Sequence, residues 1–325
     1  ARSPLQRVQH TLHKYPAISP LLVLILSSIV FGIINDRFLQ PTNLSLVTQQ
    51  VAVVAALAVG QTLIILTAGI DLSVGAIMIL ATMVIGKLAG EQGVPGPVAL
   101  LIGLVVGTAA GFLNGFLVTK INLPPFIVTL GTLNIFTALA LLYSGGQSIP
   151  GAAMGDFLLW TGETIKIGSF SITTGVLIVL AIYVIVGYAL AQTAWGRHVY
   201  ATGDDADAAR LAGIRVNRVL LSVYTVGGLI FAITAWVLIG RIGSASPNAG
   251  VDANLDSITA VVIGGTSLFG GRGALIGTLL GALIVGVFRN GLALAGVDVL
   301  YQTLVVGVLV IVAVSIDQWI RRVRA

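Results

Sequence analysis

The chain has 325 residues, 57% of them hydrophobic, and a mean hydropathy of +1.03. Charged residues make up 9% of it, against about a quarter in a soluble domain, so the bilayer is this protein's solvent. Its 17 Lys and Arg against 12 Asp and Glu leave a net charge of +5, scattered over short connections and termini rather than gathered into the patch a nucleic acid needs, and the absence of cysteine excludes disulfides, thiol catalysis and thiolate metal sites.

Arg2, Arg7 and Lys14 precede an apolar run over 17–34 that ends in Asn35, Asp36 and Arg37 without a small-residue cleavage pattern. It reads as a retained first span rather than a signal peptide. Cutting the chain at its charges gives ten uncharged tracts: 17–34, 47–70, 72–86, 92–119, 121–155, 167–196, 219–240, 257–271, 273–288 and 299–316. The expected fold is all-α: one polytopic integral membrane domain over 1–325 with about ten transmembrane helices.

An even number of crossings puts both termini on one side. A cytoplasmic N-terminus leaves twelve basic residues inside: Arg2, Arg7, Lys14, Lys120, Arg197, Arg210, Arg215, Arg218, Arg272, Arg321, Arg322 and Arg324. Five remain outside: Arg37, Lys87, Lys166, Arg241 and Arg289. That bias favours N-in, C-in, with 1–16, 195–218 and 318–325 cytoplasmic. Tracts 72–86, 257–271 and 273–288 fall short of the ~20 residues needed to cross hydrocarbon, so broken or re-entrant helices are expected there.

Asp71 lies between two tracts, where a carboxylate at bilayer depth costs about 2.5–3.5 kcal/mol on insertion scales unless it finds a partner or water. It reads either as a polar group bordering a path or holding a broken helix, or as a cap on a helix over 72–86, a role Ser73 can share. Gly103, Gly107, Gly111 and Gly115 form a flat stripe for close helix approach, as do Gly273, Gly277 and Gly281. The glycine-rich stretch from Ser144 to Phe170 reads as an outer surface loop.

Between Trp195 and Arg218 the greasy chain turns polar. Gly203 breaks the preceding structure, Asp204 or Asp205 caps a helix of about two turns, Arg210 follows Asp207 at i+3, and Gly213 stops it. A short charged helix between membrane spans is a docking element for something outside the membrane, or a well-capped solvated loop helix. The segment from Gly69 to Ala76 is weakly like that from Gly265 to Ala274, an internal duplication with interrupted helices, as transporters use, or a chance likeness in a Gly/Ala/Leu-rich chain. Arg289 and Asp298 read as a surface pair at the outer interface. His10, His13 and His198 form no metal-spaced cluster.

Three segments carry a family resemblance. Ala201-Thr-Gly-Asp-Asp-Ala-Asp-Ala-Ala-Arg-Leu-Ala-Gly-Ile214 resembles the Ala-x-Gly-x-Asn-x-x-Ala-Ala-Arg-x-x-Gly-Ile segment of the ribose/xylose/arabinose/galactoside family of ABC-importer permeases. Gly69-Ile-Asp-Leu-Ser-Val-Gly75 and the run from Leu255 to Gly273 are similar to two further signatures of that family, in the same order. Permeases for branched-chain amino acids match Ala201–Ile214 less well.

The resemblance implies the permease subunit of a monosaccharide importer in a bacterial inner membrane, working by alternating access. Its implied partners are a second permease copy, a cytoplasmic ABC ATPase that binds ATP and Mg, and a periplasmic or extracellular sugar-binding protein. Carried over by position, Gly203, Asp204, Asp205, Ala208, Ala209, Arg210, Leu211, Gly213 and Ile214 become ATPase-coupling residues. Asp204-Asp205 departs from the family's Gly-Asn, and the extra acid alters the charge offered to the ATPase.

The permease itself is expected to be no enzyme and to hold no cofactor or metal, since no Gly-x-x-x-x-Gly-Lys-Ser/Thr loop occurs in the chain. The uncharged polar residues Gln49, Gln50, Gln61, Asn114, Thr129, Thr132, Asn134, Thr266, Ser267 and Asn290 supply the donors and acceptors a neutral sugar needs, or interhelical hydrogen bonds. Gln61, Asp71, Ser73, Asn114, Asn134, Thr266 and Ser267 are the candidates for the path or the helix breaks. An ion-coupled secondary transporter is the alternative, with only Asp71 and Arg289 to carry coupling. An intramembrane enzyme lacks paired carboxylates, a Ser/His/Asp set and a His-rich motif in the spans.

Overall fold

The computed structural model describes residues 17–250 and 252–322. Arg2, Arg7, Lys14 and the rest of 1–16, together with Arg324, lie outside the described residues. Ten apolar helices correspond one to one with the ten uncharged tracts. They are α1 (Ile18–Ile34), α2 (Pro41–Leu66), α3 (Val74–Gly90), α4 (Gly96–Lys120), α5 (Pro125–Ser144), α8 (Thr174–Gln192), α11 (Val216–Ile242), α12 (Ala253–Ile263), α13 (Leu275–Leu294) and α14 (Val299–Arg322). Six of them are long and apolar enough to cross a membrane by length and composition: α2, α4, α5, α8, α11 and α13.

Proline and glycine punctuate these helices. Pro41 and Pro125 start α2 and α5, where a missing N–H costs nothing. Gly145 and Gly243, at φ +61° and +66°, end α5 and α11 in the left-handed conformation that favours glycine. Burial sorts the helices radially. Most of α2 and α11 is buried, whereas α1, α4, α5, α8 and α14 present Leu22, Leu101, Ile127, Val184 and Leu300 outward, as a lipid-facing shell requires.

The glycine stripes work inside the protomer. A Cβ at Gly111 would strike the Tyr224 carbonyl of α11, and one at Gly281 would strike the Ala260 carbonyl of α12. Each stripe thus lets two helix backbones touch.

Four expectations need correction. The eighth and ninth tracts were bounded by charge, but α13 has 20 residues and runs straight through Arg289, because that guanidinium is paired inside the bundle rather than at a helix end. Arg289 therefore does not pair with Asp298; its partner is Asp256, Nη2 to Oδ1 at 2.7 Å.

The stretch from Ser144 to Phe170 is not an irregular loop. Residues Ile149–Pro150 (β1) pair antiparallel with Ser244–Ala245 (β4), followed by one-turn helices α6 (Gly151–Met154) and α7 (Asp156–Leu159). A hairpin of β2 (Thr164–Ile167) and β3 (Phe170–Thr173) then turns at Gly168, φ +65°.

Gly203 does not break the preceding structure either. It lies within α9 (Ala194–Asp204), and the break falls at Asp205, which begins α10 (Ala206–Leu211). Finally, the third helix starts at Val74 rather than Leu72, and neither Asp71 nor Ser73 caps it through a side chain.

The two segments of weak internal likeness sit at matching places. Each is a non-helical break where the chain turns from one helix into the next: 67–73 between α2 and α3, 264–274 between α12 and α13. Left-handed residues shape both breaks: Ala68 at φ +61° in the first, Gly265, Gly270 and Gly271 in the second.

Candidate functional site

Helices α9 and α10 build the charged end of the bundle. Thr193 caps α9 by accepting from the Gly196 N–H, and Asp205 caps α10 by accepting from the N–H groups of Asp207 and Ala208, both at 2.9 Å. Arg210 donates to Asp207 at 2.7 Å, the i+3 pair expected from spacing. Gly213, at φ +86°, ends the turn.

Of the nine coupling candidates, Asp204, Asp205, Ala208, Arg210, Leu211 and Gly213 are exposed, Leu211 at 92%. Ile214 is half-buried. Ala209 and Gly203 are buried, so these two anchor the segment instead of facing outward.

Gly203 is the anchor point with the least room. A Cβ there would collide with the Leu66 carbonyl oxygen and lie 2.6 Å from the Gly271 nitrogen. Leu66 and Gly271 are themselves joined, Gly271 N–H to Leu66 carbonyl at 2.9 Å. A Cβ on Gly271 would in turn approach Asp204 Cα to 2.7 Å. Nearby, the Tyr200 hydroxyl donates to the Gly273 carbonyl at 2.8 Å, and burial pushes its phenol above the ordinary range, so it stays a donor. The polar segment and both membrane breaks therefore meet at one junction, and the three stretches that carried the resemblance are the three that meet there.

Around the first break a buried hydrogen-bond chain ties four elements. Asp71 Oδ1 accepts from the N–H and hydroxyl of Ser73, each at 2.6 Å. Asn114 of α4 donates to Ser73 Oγ at 2.9 Å and accepts from Thr132 of α5 at 2.7 Å. Thr129 donates to the Ile70 carbonyl at 3.1 Å. Across the bundle, Asn254 of α12 accepts from the Gly75 N–H and donates to the Leu72 carbonyl at 2.7 Å. Asp71, 1% exposed, thus holds a broken helix through an Asx turn. Asp71 Oδ2 and the Tyr224 hydroxyl are buried without a hydrogen-bond partner there.

The other path candidates scatter. Thr266 and Ser267 lie on the second break, fully or nearly buried, with Thr266 Oγ1 unpartnered. Gln61 is buried in α2 and its amide has no partner. Asn134 is exposed on α5 and bonds its own helix at the Leu130 carbonyl. None of these seven residues lines the cleft described next.

Open space is found at the opposite end. A cleft of about 740 Å³ opens between the N-terminal half of α2, the end of α11, the start of α12 and the second half of α13. Its polar lining includes Gln50, Asp252, Asp256, Arg289, Asn290 and Gln302. Two closed pairs stand in it: Asp256 with Arg289, and Asn43 with Asn290, whose amides exchange bonds of 2.8 and 3.1 Å. The sequence offers Gln50 and Asn290 among the polar residues that suit a sugar path or interhelical bonds, reads Arg289 as a surface partner of Asp298 or a coupling group, and uses Asp256 only to bound a tract. The one signal for them was that charges interrupt otherwise apolar, glycine-spaced helix.

Comparison with known proteins agrees with this architecture. A family model described as branched-chain amino acid transport system / permease component matches residues 43–314. The fructose import permease protein FrcC of Rhizobium meliloti is 51% identical over 99% of this chain and 90% of its own. The ribose import permease protein RbsC of Bacillus subtilis (strain 168) is 39% identical, covering 93% and 92%. The D-allose transport system permease protein AlsC of Escherichia coli (strain K12) is 35% identical, covering 90% and 89%. No solved structure matches.

These relatives are import permeases, which sets the ion-coupled alternative aside. A chain of lipid-facing helices, three signature segments gathered at one junction and full-length likeness to sugar permeases have one reading: the chain belongs to this family of multi-pass permease components, among the monosaccharide ABC importers.

Proposed function

We propose that the chain forms the membrane path of an importer that carries a monosaccharide inward, with fructose the first candidate because the fructose permease is similar over nearly the whole chain. The charged end is cytoplasmic, both termini lie on that side of a bacterial inner membrane, and two copies stand side by side over a pair of ATPase subunits. ATP and Mg bind those subunits. A binding protein delivers sugar to the far end, where the cleft opens.

The observation that carries this reading is the contact of Gly203 with Leu66 and Gly271. The exposed face from Asp204 to Gly213 offers the ATPase its docking surface. Because Gly203 leaves no space against either break, a push on α9 and α10 displaces the 67–73 and 264–274 turns together. Those turns connect to α2, α3, α12 and α13, three of which border the far-end cleft. Nucleotide state at one end thereby biases the opening at the other, which is the coupling that alternating access needs.

The test is uptake of labelled fructose, ribose and allose into proteoliposomes holding the chain with its ATPase and binding protein. Uptake that needs internal ATP, survives collapse of proton and sodium gradients, and is lost in Arg210→Glu and Gly213→Pro while the complex still assembles supports the reading. Uptake that follows an ion gradient without the ATPase overturns it.

A further inference from the structure

We infer that the Asp256–Arg289 pair is a sugar-contact subsite in the permease itself, a charged hydrogen-bonding station for a neutral polyol; this rests on the importer reading above. Three ion pairs occur among the described residues: Asp207–Arg210 is solvent-facing, and Lys87–Glu91 is a local i,i+4 pair whose carboxylate is exposed at 47%. The third joins α12 to α13 with side-chain exposures of 8% for Asp256 and 24% for Arg289. Withdrawing such a pair from water is a poor way to hold helices together, because apolar residues of similar volume do it as well or better. Ionisable groups inside a membrane bundle mark the route of a polar solute.

The surroundings match a polyol. The pair stands in the 740 Å³ cleft, a volume within the range of small-molecule sites. Asn43, Asp256, Arg289 and Asn290 all line this cleft, so guanidinium, carboxylate and the Asn43–Asn290 amide pair border one space. Arg289 Nε is buried with no hydrogen-bond partner, a donor left over after Nη2 binds Asp256. A sugar hydroxyl donates and accepts at once, and a carboxylate beside a guanidinium offers both halves with charge-assisted strength.

The pairing also explains release. When sugar leaves, Asp256 and Arg289 still satisfy each other and Asn43 still satisfies Asn290, so departure strands no charge. A transport site has to bind strongly enough to admit its solute and weakly enough to free it. The pair has no net charge, so it holds no counter-ion in the path.

Saturation-transfer NMR with fructose as probe, on the detergent-purified importer without its binding protein, reads contact directly. We expect a fructose signal in the wild type, cut about tenfold in Arg289→Gln and partly recovered in Arg289→Lys, the loss of one charge-assisted bond. In proteoliposomes, sugar carried per ATP hydrolysed falls in Asp256→Asn. The exchange of Asp256→Arg with Arg289→Asp, which restores a pair but swaps donor and acceptor positions, leaves uptake low and alters the fructose-to-ribose ratio. Equal NMR signals in wild type and Arg289→Gln, or full recovery by the exchanged pair with an unaltered ratio, overturns the subsite and leaves a strut between helices. If wild-type proteoliposomes take up none of the three sugars, the importer reading fails and the subsite with it.

Discussion

The two ends of the bundle are built from different materials. At the charged end, α9 and the two breaks meet backbone to backbone through Gly203, Gly270 and Gly271, with no room for a side chain. At the far end, helices meet across an open cleft through Asp256, Arg289, Asn43 and Asn290. Close-packed interiors pass on displacement because they cannot absorb it, whereas polar side chains beside open space can rotate and take up solute. The proposed importer, pushed at one end and handling sugar at the other, needs stiffness and compliance in that arrangement.

The same kind of substitution is therefore expected to cost different amounts at different places. The largest effect is overpacking where backbones touch: Gly281→Leu drives a side chain into the Ala260 carbonyl and lowers stability by about 1–3 kcal/mol or more, read as a drop in Tm of the detergent-purified permease. Next comes Asn114→Ala. It takes a buried amide out of a dry site, leaving Ser73 Oγ with Asp71 alone and Thr132 Oγ1 with only the long 3.4 Å bond to the Thr129 carbonyl, costing about 1–3 kcal/mol by the same assay.

Removing an amide at the cleft is milder. Asn43→Ala leaves Asn290 able to reach water, so the loss is about 1 kcal/mol, with uptake affected more than Tm. The smallest change is Asp207→Ala, whose pair with Arg210 has side-chain exposures of 89% and 53%; stability moves by less than about 1 kcal/mol. A cleft amide that proves costlier than Asn114 breaks the contrast between a packed junction and an open cleft.

Much of the fold was legible because charge is so scarce in this chain that each one marks a boundary. All ten apolar helices follow from that rule, and the break near Asp71 follows from a charge between two apolar tracts. The rule failed at Arg289, where a charge lies inside a helix because a partner 33 residues away neutralises it. No local pattern announces such a partner.

The polar segment was legible in its caps and its i+3 pair, since those are local. Its seat was not: that Gly203 rests on Leu66 and Gly271 depends on residues more than a hundred positions apart on one side and sixty-eight on the other, brought together by packing alone. The cleft escaped for the same reason. Asn43 and Asn290 are 247 residues apart, and each by itself is an ordinary polar residue in a span.

The central claim is that Gly203 transmits motion. The direct measurement is fructose carried per ATP hydrolysed in the reconstituted importer for Gly203→Ala, set against Gly131→Ala, whose added methyl meets no atom within 4 Å. The account predicts that Gly131→Ala matches the wild type while Gly203→Ala hydrolyses ATP and moves little sugar. Sugar carried per ATP at the wild-type ratio in Gly203→Ala would contradict it.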